Sequence, residues 1–157
     1  MAGARKVELD CEASFSQAAA RVVKVRSKEV FKHSEGVLDL ADVERVHDMR
    51  VATRRLRAAL EVFEPCFPEK RHRKALKKVR ALADALGERR DADVEIALLE
   101  GLLDEASKAD RGALLDLIEE LRVRQGEANE ALAPCVAPKR LKKLRRRLKK
   151  LVKGAGS

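Results

Sequence analysis

VHDMRVATRRLRAALEVF, residues 46–63, decides the fold. At 100° per residue, Val46, Met49, Thr53, Leu56, Leu60 and Phe63 collect on one arc, which is the spacing of a core-facing helix stripe. His47, Arg50, Arg54 and Arg57 collect on a second arc of about 80° beside it, a column roughly 15 Å long at the α-helical rise. No acid is read one turn away along that column, so its charge is expected to seek an anion, and its length suits a polyanion.

The rest of the composition agrees with a helical, cationic protein. The chain has 157 residues, enough to bury a real core. Its 35 Lys and Arg outnumber 26 acids, for a net charge of +9 and a pI near 9.7. That balance points to nucleic acid, an acidic membrane surface or a phosphate polymer, without choosing among them. The four Phe stand without Trp or Tyr, so the core is expected to be aliphatic and a base-stacking platform is disfavoured. Cys11, Cys66 and Cys135 lie far apart and form neither a disulfide framework nor a zinc pattern. No apolar run reaches the ~18 residues of a spanning helix, and the first ten residues lack a signal-peptide core. A cytoplasmic protein with no transmembrane segment is expected.

No segment alternates with strand periodicity. The expected fold is all-α: an antiparallel bundle of about six helices with a basic face, in one domain over 1–157 with an ordered core of about 14–152. The helices are placed at about 14–32, with Ser14 as N-cap, 41–63, 69–86, 91–105, 110–132 and 138–152. Gly87 is read as a break and Asp91 as the next N-cap. The pairs Pro65/Pro68 and Pro134/Pro138 are read as loops. The first ten or so residues and Gly154–Ser157 are expected to be loose.

Charge is segregated along the chain. Residues 91–133 hold twelve acids and four bases, while the first three helices and the last are basic. Beside the apolar arc of the third helix stand Arg73, Lys77 and Arg80; whether they meet the 47–57 column depends on how the helices pack. The first helix adds Arg21, Lys24, Lys28 and Lys32. In the last, Leu141, Leu144, Leu148 and Leu151 make a strip among bases from Lys139 to Lys153, including Arg140 and Lys143, with no acid. That helix can pack on the bundle or lie on a membrane or partner.

The side-chain types suit anion binding rather than catalysis. Arg offers a planar fork to phosphate oxygens and Lys a mobile point charge. His47 is read either as a structural imidazole or as a phosphate donor at the end of the Arg column. It is not read as a metal ligand, because Asp48 is expected to point elsewhere on the helix. His33 and His72 are expected to be exposed. No Gly-rich phosphate loop, no HExxH and no Ser or Cys nucleophile with a base is present, so no enzyme, cofactor or metal is expected.

Residues 46–65, VHDMRVATRRLRAALEVFEP, and 76–100, LKKVRALADALGERRDADVEIALLE, resemble the two signatures of the CHAD family, the conserved histidine α-helical domain. The resemblance covers most of residues 14–151. It implies an all-helical bundle that binds inorganic polyphosphate through basic helix faces, without catalysis, and a place at polyphosphate granules. It carries His47, Arg50, Arg54 and Arg57, with Arg55 beside them, into the binding set, and Arg80 and Arg90 more weakly. Arg90-Asp91 reads equally well as an internal ion pair and cap. The candidate set is completed by Arg73, Lys77, Lys24, Lys28, Arg140 and Lys143. The family module usually has two similar halves, and nothing after residue 100 repeats HxxRVxxRR. The chain resembles a first half, which a homodimer would complete. Nucleic acid is the alternative partner, although no recognition helix is evident.

Overall fold

The computed structural model describes residues 3–157. The described residues form five α-helices, a short 3₁₀ turn and no strand: α1 Phe15–Lys32, α2 Val43–Val62, the turn Glu64–Cys66, α3 Glu69–Leu102, α4 Lys108–Val136 and α5 Pro138–Lys153. Five helices stand where six were expected.

The difference lies at Gly87. It sits inside α3, which runs for 34 residues, about 50 Å, without a break. One glycine costs a helix only about 1 kcal/mol. Against that, the buried positions continue in register on both sides of it, through Leu82, Leu86, Ala92 and Ile96. Asp91 is therefore an exposed mid-helix residue rather than a cap. Pro134 likewise lies inside the last turn of α4 instead of in a loop, and the helix stops at Val136. Pro138 opens α5 at a position where the missing N–H has no intrahelical partner to lose.

Other local signals act where they were read. Ser14 accepts a hydrogen bond from the Gln17 N–H at 3.1 Å, while the Gln17 side chain accepts one from the Ser14 N–H at 2.9 Å. These two bonds make a capping box. Between α1 and α2 the chain turns at Gly36, whose φ of +67° suits glycine. Arg45 packs against that turn, and a Cβ at position 36 would fall 2.5 Å from its Nη1.

α3 packs against α2, α4 and α5, and α1 against α2 and α5. The main core joins Val23 and Val30 of α1, Met49, Leu56 and Leu60 of α2, Val79 and Leu86 of α3, Leu132 of α4, and Leu148 and Leu151 of α5. A smaller cluster of Ile96, Ile118 and Leu121 ties the far ends of α3 and α4 together. His72, expected on the surface, is 2% exposed. Its Nε2 lies 2.6 Å from the Leu60 carbonyl oxygen, and its ring stacks on Phe67. This imidazole closes the α2–α3 connection.

Both ends of the chain carry backbone ties. The Arg5 N–H donates to Glu29 and the Arg26 guanidinium to the Arg5 carbonyl. At the other end, the Gly156 N–H donates to the Cys66 carbonyl at 2.9 Å.

Candidate anion-binding grooves

The leucine strip of α5 determines where its bases go. Leu144, Leu148 and Leu151 are buried and Leu141 is half-buried, so α5 lies packed between α1 and α3. With leucines on one stripe, the bases project along both flanks and outward. Each flank forms a groove with the neighbouring helix.

The α3/α5 groove, about 360 Å³, is lined by Arg71 and Lys74 of α3 and by Lys143, Arg146, Arg147 and Lys150 of α5. All six lining residues are bases. On α5, positions 143, 147 and 150 succeed one another about a turn apart, which spaces neighbouring cations by ~5–6 Å. The α1/α5 groove, about 640 Å³, is lined by Lys24, Lys28 and Lys32 of α1 and by Arg145, Lys149 and Lys153 of α5. Ser27, Phe31, Leu148 and Val152 complete its lining. Neither lining contains an acid.

The 47–57 column runs along the seam between α2 and α3. Two contacts fix an antiparallel register: Arg80 pairs with Glu61 at 2.9 Å, and Arg90 donates to the Val43 carbonyl at 3.3 Å. Of the α3 cations, Arg80 meets the column here, through an acid that already neutralises part of the charge. Glu61, one turn after Arg57, bonds Arg57 at 3.0 Å as well as Arg80. This corrects the expectation that the column lacks a nearby acid. Bonding first to Arg80 and then to Arg57 holds the Glu61 carboxyl below its ordinary pKa. Arg90 also lies 3.9 Å from Glu44, and Arg73 pairs with Glu69. Arg50 and Arg54 have no ion pair among the described residues. Arg55 is half-buried on α2, and Lys77 and Arg140 are exposed on α3 and α5, outside both grooves.

His47 does not stand apart from Asp48 as expected. The ligand atoms of Glu44, His47 and Asp48 all lie within 4.8 Å of one another. Their donor types suit a divalent cation, with the Arg90 guanidinium competing for Glu44.

Arg89, beside the Arg90 singled out in the sequence, is the charged residue the helix pattern hid. It is 0% exposed and pairs with buried Asp93 at 3.1 Å. Gln125 donates to Asp93, and Asn129 links Arg89 to the Leu38 carbonyl. Burial lowers the Arg89 pKa, and the Asp93 charge opposes that shift. The network pins α3 to α4. An Arg on the apolar arc of a helix is its one sequence signal.

Of the expected residues, Lys24 and Lys28 come together with α5 in one groove, and Lys143 joins the other. Arg71, Lys74, Arg146, Arg147 and Lys150 were not in the expected set. No helix among the described residues is long and apolar enough to cross a membrane. A family model, the CHAD domain, matches residues 22–157. No curated protein matches the chain.

Proposed function

The chain belongs to the CHAD domain family, and from that membership we propose that it binds inorganic polyphosphate, without catalysis, in the groove between α3 and α5. The observation that carries this reading is the lining of that groove: six bases and no acid. Like charges crowded along one cleft repel in the free protein, and a chain of phosphates relieves the repulsion. Arg71, Arg146 and Arg147 supply forks for phosphate oxygens, and Lys74, Lys143 and Lys150 supply adaptable point charges. Arg50 and Arg54 on the α2/α3 seam and the outward bases of α5 offer further anchoring points to a long chain that leaves the groove. Association is steered by that field.

Nucleic acid shares these electrostatics, but the chain has no Trp or Tyr on which bases could stack. A competition at physiological salt tests this. Long-chain polyphosphate is expected to displace single- and double-stranded nucleic acid from the protein. Displacement of polyphosphate by nucleic acid at equal phosphate concentration would replace this reading with nucleic-acid binding.

A further inference from the structure

The two grooves beside α5 differ in chemistry. The α3/α5 groove is cationic throughout. The α1/α5 groove sets six cations around Phe31, Leu148 and Val152. At about 640 Å³ it has the volume of a small-molecule site. Arg145 lies over the Phe31 ring, its guanidinium carbon 4.6 Å from the ring centroid. Arg145 is also exposed, so the other face of its planar guanidinium is available to a second flat group.

We propose that the α1/α5 groove binds a nucleoside triphosphate, its base stacked on Arg145 above the apolar floor and its phosphates held by the rim lysines. A bare phosphate chain has no use for an apolar floor. An acyl chain would lie half in water, because the groove opens to solvent along its length. A nucleobase has a flat face to stack on the Arg145 guanidinium, which Phe31 backs from below, and polar edges that tolerate the open side. Lys24, Lys28 and Lys32 rise one turn apart on α1, opposite Lys149 and Lys153 of α5, so a short phosphate chain contacts both walls. The site is separate from the α3/α5 groove and does not depend on polyphosphate binding there.

Calorimetric titration of the full chain with ATP and with inorganic tripolyphosphate separates recognition of the base from charge attraction. ATP is expected to bind about tenfold tighter, the stacking contribution of one base. Arg145→Lys keeps the charge but removes the planar face. It is expected to bring ATP down to the tripolyphosphate affinity and to leave tripolyphosphate itself unchanged. Equal affinities in the wild type, or an ATP preference that survives Arg145→Lys, would overturn the proposal. Lys143→Glu with Arg147→Glu, in the other groove, should preserve the ATP preference while weakening long polyphosphate. Loss of the preference in that variant would show the two grooves to be one site and would also overturn it.

Discussion

Glu61 accepts from two guanidiniums, Arg57 and Arg80, and so sets how much charge the α2/α3 seam offers. Its carboxyl pKa is lowered in the folded state, so its stabilising contribution is present above the unfolded carboxylate pKa. That contribution is lost as pH falls through the folded value. All three side chains are substantially exposed, which keeps the stability at stake small. Glu61→Gln is expected to change unfolding free energy by less than about 1 kcal/mol in urea titrations. By releasing two cations it should raise polyphosphate affinity severalfold. Arg89 has the opposite character. Arg89→Met leaves Asp93 as a buried charge without its counter-ion and should cost about 3–5 kcal/mol in the same assay. Asp93→Leu added to it should recover much of the loss. Neither role was legible from residue type alone. Glu61 lies one turn beyond the 47–57 column, and its second partner, Arg80, comes from another helix. Arg89 needs α4 beside it before its burial makes sense: Asn129 lies 40 residues on from Arg89, and Gln125 lies 32 residues on from its partner Asp93.

α3 shows why a helix boundary is harder to read than a helix. The apolar periodicity of residues 75–86 was plain, and so was a helix after residue 91. A glycine between two such stretches reads as an end only if the stripe breaks there, and it does not. Nothing lies within 4 Å of a Cβ built at Gly87, and its φ is not in the left-handed region. Gly87→Ala is therefore expected to stabilise the protein by about 0.5–1 kcal/mol, measured as a higher urea midpoint. A lower midpoint would mean that α3 bends there. α5 was legible as an amphipathic helix from leucines at 141, 144, 148 and 151, but the sequence left open that this strip packs on α1 and α3 rather than on a membrane or partner. Leu148 is 1% exposed, and Leu148→Ala should cost about 2–5 kcal/mol through the cavity it leaves.

For the whole molecule, the all-helical class and the family were legible from residues 46–65 and 76–100. The α3/α5 groove was not. Arg71 and Lys74 lie some 70 residues before Lys143 to Lys150, and only tertiary packing sets them across one cleft. Along the chain, acids are concentrated in residues 91–133 and bases in α5. A polyanion held by several of these bases displaces several counter-ions at once, so its affinity should fall steeply with salt. The most direct measurement is calorimetric titration of long-chain polyphosphate into wild type and into Lys143→Glu/Arg147→Glu, each across a range of salt concentrations. The variant, with its helical circular dichroism intact, is expected to bind at least tenfold more weakly and with a shallower salt slope. Wild-type affinity and slope in the folded variant would show that polyphosphate does not lie between α3 and α5.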